Sequence, residues 1–294
     1  MDQIGPVFLN GEFLPLQDAK VSVLDRGFIF GDGVYEVVPV YSKVPFRLDE
    51  HLARLERSLA AVGIRNPYTR EQWRAFMAGI IQRQPFDDQG VYFQVTRGVA
   101  KRDHAFPKHA EPTVFMMSNP LVNPPREQVE SGAAAITARD YRWLRCDIKS
   151  ISLIGNVLLR QLSAEAQAAE TILLRDGMLT EASASNVFIV KSGVIQSPPK
   201  NELILPGITY DVVVELARAN GLAIEFREIP EAQLRAADEI WVTSSSKEIL
   251  AIVRLDDAPV GDGRPGPVFR RMYRLYQDFK QRVMRAGRHE SVSA

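Results

Sequence analysis

Cysteine is almost absent from this chain of 294 residues. Cys146 is the only one, so no disulfide can close within the chain and nothing points to an oxidising compartment. An excess of either charge is missing too. The 36 basic and 36 acidic residues balance, which removes the field that gathers nucleic acid or an anionic membrane surface. No segment approaches the length of a membrane span, and the opening Met-Asp-Gln-Ile-Gly-Pro lacks the basic flank and apolar stretch of a secretory leader. Cytoplasm is the expected address, and small molecules are the expected partners. Gly31-Asp32-Gly33 lacks the third glycine of a dinucleotide fingerprint, and no P-loop occurs, so nucleotide-dependent enzymes fall in rank. Neither internal repeats nor low-complexity tracts are found, and no metal site is expected.

What is present suits an enzyme that folds throughout, with 46% apolar and 24% charged residues. The length suits two domains in an α/β (α+β-like) chain. Val7 to Leu14 is two short apolar runs around Asn10-Gly11, the signature of a hairpin. Leu48, Leu52, Leu55 and Leu59 recur at helical spacing, with Asp49 placed to cap the start and Gly63 to close the end. Trp73, Phe76, Met77, Ile80 and Ile81 repeat the pattern behind Thr69 as cap. Strands at about 90 to 97 and 112 to 118 complete a small mixed α/β domain at 1–119. Pro120, Pro124 and Pro125 then continue neither a helix nor a central strand, which places a linker at 120–126. Over 127–285 strands dominate: one near 133 to 138, others around the turns Asp176-Gly177 and Ser192-Gly193, with helices near 156 to 169, 209 to 219 and 266 to 286. Residues 286–294 read as a polar, frayed tail.

Five places carry candidate chemistry. Leu205-Pro206-Gly207-Ile208-Thr209 leads into an amphipathic helix, so free amides and a capping hydroxyl make a phosphate seat; the alternative is an ordinary turn and cap. Thr243-Ser244-Ser245-Ser246 follows an apolar strand, where loops often carry binding groups. Arg54 lies off the leucine stripe, and on its own reads as a solvated arginine. Lys149 follows Trp143-Leu-Arg-Cys-Asp-Ile, whose bulky neighbours would withdraw its amine from water and make it a nucleophile. Glu181 sits in Leu179-Thr-Glu181-Ala-Ser-Ala-Ser-Asn186, where small residues let backbone approach a flat ligand. Cys146, near Lys149, reads as a small apolar filler.

Arg26-Gly-Phe-Ile-Phe-Gly-Asp-Gly-Val-Tyr35-Glu, the Lys149 segment, the Glu181 segment and Leu205 to Thr209 occur in that order, and together they resemble the class IV aminotransferases to about residue 285. The resemblance implies a fold type IV enzyme, with a small N-terminal domain and a larger pseudo-barrel domain. It implies pyridoxal 5′-phosphate on Lys149, with Glu181 at the pyridine nitrogen. Arg54, Ile208, Thr209, Ser244 and Ser245 match the phosphate cup, and Leu205 matches the residue on the ring face. A protonated ring is an electron sink, and a carboxylate stabilises its nitrogen. Lys149 would then carry the proton at the α-carbon.

Within the family, Gly98-Val-Ala-Lys-Arg102-Asp-His104 looks like the D-amino acid transaminase loop, so Tyr35, Arg102 and His104 are assigned to the substrate carboxylate. Arginine suits it because its planar fork donates two parallel hydrogen bonds. The implied reaction runs between a D-amino acid such as D-alanine and a 2-oxo acid such as 2-oxoglutarate, ping-pong through pyridoxamine phosphate. In the family this loop reaches a neighbouring subunit, which implies a homodimer; a solvated polar loop is the alternative. Ala184, in place of a second serine, and Pro206, beside Gly207, depart from the pattern and bear on substrate range. Competing functions are aminodeoxychorismate lyase, branched-chain L-amino acid or (R)-amine transaminase, and a non-catalytic cofactor-binding protein.

Overall fold

The computed structural model describes residues 5–286, and the expected tail beyond 286 lies outside them. The described chain divides into two units. Residues 5–121 belong to the first, together with 148–153 and 285–286; residues 122–147 and 154–284 form the second.

In the first unit, β1 (Val7–Leu9) and β2 (Glu12–Leu14) form the expected hairpin, with Asn10 and Gly11 at φ 49° and 104°. Helix α1 (Arg26–Phe30) starts on the Asp25 side chain and ends at left-handed Gly31. Strands β3 (Gly33–Tyr41), β4 (Val44–Pro45), β5 (Gln89–Thr96) and β6 (Thr113–Pro120) complete a six-stranded sheet of order β2-β1-β6-β5-β3-β4. Helix α2 (Leu48–Ala61) lays Leu52, Leu55 and Leu59 on Val34, Val38 and Val40, while α3 (Arg70–Gln82) adds Trp73, Met77 and Ile80 to the same core. Thr69 closes a full capping box with Gln72. Asp49 does not cap α2. Arg47, at φ 50°, is the N-cap, and Asp49 lies inside the first turn, where its charge favours the helix dipole. Pro120 is the last residue of β6, a strand end where a missing N–H costs little.

The second unit opens with α4 (Arg126–Ser131), so the proline-rich stretch ends in a helical turn. It continues through β7 (Ala133–Arg139), α5 (Ile154–Glu165), β8 (Glu170–Arg175), β9 (Met178–Ala182), β10 (Asn186–Lys191), β11 (Val194–Ser197), α6 (Ile208–Ala219), β12 (Ile224–Phe226), α7 (Glu231–Arg235), β13 (Glu239–Ser244), β14 (Glu248–Leu255), β15 (Ala258–Pro259) and α8 (Pro267–Phe279). Two-residue turns at Asp176-Gly177 and Ser192-Gly193 take positive φ, as those residues allow. The sheet runs β12-β11-β10-β13-β14-β7-β8-β9, with β15 against β14. Val187, Ile189, Ile240, Val242, Leu250 and Ile252 alternate onto one apolar face. Phe188 and Trp241, on the other phase, meet Tyr210 of α6 and Phe269 of α8. Strands β10 and β13 are thus buried on both sides and read as near-continuous apolar runs.

Candidate functional site

Strand β3 fixes the first set of groups by its two-residue alternation. Val34, Glu36 and Val38 share the buried phase beneath α2, and Tyr35 takes the other. Glu36 is fully buried. Arg54 Nε and Nη2 donate to its two oxygens, each at 2.7 Å, and His51 Nδ1 lies 2.7 Å from Oε2. Burial alone would raise the Glu36 pKa, but the charge and hydrogen bonds of Arg54, with His51, bring it down to about 2. Burial lowers the His51 pKa. Because a carboxylate only accepts, His51 Nδ1 carries the proton, and its buried Nε2 has no partner among the described residues. Arg54 is therefore not a solvated arginine: it is 3% exposed, and its Nε and Nη2 are held by Glu36.

The segment Ile148–Leu153 lies along the start of β3. Tyr35 N donates to Lys149 O at 2.9 Å, Ile151 N donates to Gly33 O at 3.1 Å, and Lys149 N donates to Ser58 Oγ at 3.3 Å. A side chain at Gly31 or Gly33 would press on Ser152 or on the Val95 carbonyl, which explains the glycines of the Gly-Asp-Gly motif. Lys149 is half-buried, with Nζ 4.2 Å from the centre of the Tyr35 ring. Its shelter differs from the expectation. Trp143 and Leu144 are 50% and 63% exposed, while Ile148 is the neighbour that enters the core. Cys146 is buried, and burial pushes its thiol up to about 11, so it is a filler and not a nucleophile.

Arg102 and His104 sit on an exposed loop, both beside Phe30, with centroid distances of 5.4 Å. The loop is anchored beneath them. Asp32 receives Arg26 and both prongs of Arg97, and Arg26 Nη1 donates to the Asp103 carbonyl at 2.5 Å. Arg97 also covers the Phe106 ring at 3.6 Å. Arg26 and Asp32 fall within a motif whose glycines and tyrosine drew the sequence reading, so their anchoring part was missed.

In the second unit, Glu181 on β9 is 5% exposed. Its Oε1 accepts from Arg142 Nη1 at 2.6 Å; its Oε2 accepts from Leu205 N at 3.0 Å and Asn186 Nδ2 at 3.3 Å. Arg142 is itself gripped by both oxygens of Asp140. Burial raises the Glu181 pKa, Arg142 and Leu205 N offset part of the rise, and the result is about 7. Its folded pKa therefore exceeds the ordinary 4.5, so its contribution to stability is complete below that pH and is lost as pH rises through about 7. The difference corresponds to roughly 3 kcal/mol. Glu181→Gln is expected to flatten this part of the profile when urea midpoints of the ligand-free protein are compared at about pH 5 and about pH 8. An unchanged slope would contradict the buried-acid assignment.

Gly207, not Thr209, is the N-cap of α6, and no side chain caps that end. The amides of a helix's first turn have no partner within the helix, so this terminus presents donors that suit an anion. Ile208 and Thr209 are buried in the first turn, and Leu205, half-buried, donates its amide to Glu181. Ser244 ends β13 and Ser245 follows it, and the buried Thr243 Oγ1 before them lacks a partner among the described residues. An uncapped helix end, three hydroxyl-bearing residues and a buried carboxylate form a donor and acceptor set that fits a phosphorylated heterocycle with a basic ring nitrogen. Among the described residues no His, Cys, Asp and Glu cluster could hold a metal ion, and no helix is long and apolar enough to cross a membrane.

A family model for Amino-transferase class IV matches residues 33–255. The D-alanine aminotransferase of Bacillus licheniformis is 40% identical over 272 residues, 92% of this chain and 96% of that one. The D-alanine aminotransferase of Staphylococcus epidermidis is 38% identical over 94% of this chain and 98% of its own length. Among solved structures, a T.th. branched-chain amino acid aminotransferase with pyridoxamine 5′-phosphate superposes with a TM-score of 0.89 at 26% identity, covering 99% of both chains.

Proposed function

Since this chain belongs to the class IV aminotransferases, fold type IV enzymes that work with pyridoxal 5′-phosphate, we propose that it transfers the amino group of a D-amino acid such as D-alanine to a 2-oxo acid such as 2-oxoglutarate. The observation that carries this reading is the 38–40% identity with D-alanine aminotransferases over more than nine-tenths of the chain. When bound, pyridoxal phosphate supplies the aldehyde that takes up the amino group and the ring that takes up electrons. Lys149 Nζ is the nucleophile toward that aldehyde and the base that moves the substrate's α-proton. Tyr35, whose ring centre lies 4.2 Å from the Lys149 amine, is assigned with Arg102 and His104 to the substrate carboxylate. Glu181, fixed by Arg142, Asn186 and the Leu205 amide, holds a proton at the pyridine nitrogen. Arg54, Ile208, Thr209, Ser244 and Ser245 would hold the phosphate, and Leu205 would pack against the ring.

Arg102 and His104 are assigned to the substrate carboxylate, and the carboxylate they receive is bound in the site of a second copy. Their exposure suits a loop donated outward. A homodimer is part of the proposal. Phe28 and Val23 in the first unit are 71% and 69% exposed, and Ile154, Val157 and Leu158 on α5 are all more than half exposed, the kind of apolar surface that subunits cover. A cytoplasmic location belongs to the same proposal and rests on the cysteine content. Arg102→Ala is expected to raise the KM for D-alanine about 10- to 100-fold, the loss of a charge-assisted hydrogen bond; an unchanged KM would remove Arg102 from the site.

Likeness to branched-chain enzymes in three dimensions favours a second reading, an L-amino acid substrate. The deciding experiment mixes the cofactor-loaded protein separately with D-alanine and L-leucine and follows its visible absorbance. Bleaching by D-alanine alone supports the proposal. Bleaching by L-leucine alone replaces it, and silence with both favours lyase or amine substrates.

A further inference from the structure

The β13–β14 connection ends its pairing at Ser244 and Glu248, leaving Ser245, Ser246 and Lys247 as a short turn. Lys247 ties this turn down at both of its ends. Its backbone N donates to Ser244 Oγ at 3.0 Å, and its Nζ donates to Glu170 Oε2 at 2.9 Å. Glu170 is fully buried at the start of β8. It also accepts from Ser183 Oγ, from Ser185 Oγ at 2.9 Å and from Thr171 N at 3.1 Å. Ser183 and Ser185 belong to the turn that follows Glu181, so one buried carboxylate joins two turns with different assignments.

We propose that Lys247 is a positioning residue for the cofactor's phosphate, locking the Ser244–Ser245 turn onto the Ser183–Ser185 turn through Glu170. The proposal rests on the reading that Ser244 and Ser245 hold phosphate. Burial pushes the Glu170 carboxyl up, while Lys247 first and then the two serines hold it below its ordinary value. Without the ammonium, the buried Glu170 carboxylate loses its charge partner and the link to the Ser244–Ser245 turn, and with them the geometry that orients both turns. The phosphate hydroxyls then lose their fixed separation from the acid that faces the ring.

The test compares the affinities of pyridoxal 5′-phosphate and of pyridoxal, measured by cofactor fluorescence, for the wild type, Lys247→Met and Lys247→Arg. Both ligands react with Lys149, so their ratio isolates the phosphate. Lys247→Met is expected to lower the ratio about 10- to 100-fold, with most of it restored in Lys247→Arg. Glu170→Gln, which keeps the shape and removes the charge, is expected to lower it likewise and serves if Lys247→Met fails to fold. An equal fall for both ligands means general loosening and overturns the proposal, as does an unchanged ratio. A wild type that binds both ligands equally would instead overturn the phosphate reading itself.

Discussion

Lys149→Ala is expected to give a folded protein whose turnover falls by at least about a thousandfold, the scale of a lost general base, and whose visible band from covalently held cofactor is gone. The fold survives because the segment is fixed by its backbone and by its neighbours. Lys149 N and O are held by Ser58 Oγ and Tyr35 N, and Ile148 supplies the core contact. What the substitution removes is the amine lying against Tyr35. Far-UV circular dichroism should match the wild type while absorbance and turnover collapse. Activity that persists would overturn the mechanism.

Glu36→Ala is expected to destabilise the first unit by about 3–5 kcal/mol, because it strands Arg54 and His51 in the core without their shared carboxylate. The same group predicts the acid limb. Its folded pKa of about 2 lies below the ordinary 4.5, so its contribution is present above that value and is lost as pH falls through about 2. Urea midpoints of wild type and variant should therefore differ most near neutrality and converge in strong acid. A variant as stable as the wild type at neutral pH would mean that Arg54 finds its charge partner elsewhere. If Arg54 holds the phosphate as proposed, affinity for pyridoxal phosphate is expected to fall in the same variant, because Arg54 loses the carboxylate that orients it.

Local rules carried much of the reading. The Asn10-Gly11 hairpin, the capping box at Thr69 and the leucine stripe of α2 all depend on residues within one turn or one helix face, and each forms where the pattern placed it. Pairing at long range was less legible. Glu36 occupies the buried phase of a strand whose other buried residues are valines, and its partners lie 15 and 18 residues away. His51, Arg54 and Ser58 repeat at helical spacing one position from the leucines, but such a polar stripe matches a solvated helix face equally well, so sequence spacing alone does not reveal that these residues are buried. Asp49 misled because a capping residue type two positions beyond the N-cap looks the same in sequence as a cap. Thr209 misled for the same reason, since Gly207 two residues earlier takes the terminal position. The order of the four motifs was legible throughout; the part of Arg142 in orienting Glu181 depends on a contact across 39 residues and was not.

The placement of Ile148–Leu153 has a consequence for how the polypeptide emerges from a ribosome. The chain leaves its first unit after Leu121, yet that unit still lacks Ile148 from its interior and the backbone partners of Gly33 and Tyr35. A nascent chain halted at the proline-rich stretch would carry an unfinished sheet. Severing the protein there by protease or by gene splitting yields an N-terminal fragment without Lys149, to which the chemistry is assigned, and a C-terminal fragment bearing that lysine on a loose end. Catalysis in trans would require the two pieces to reassemble, so the dependence of recovered activity on fragment concentration reports directly on this one short excursion of the backbone.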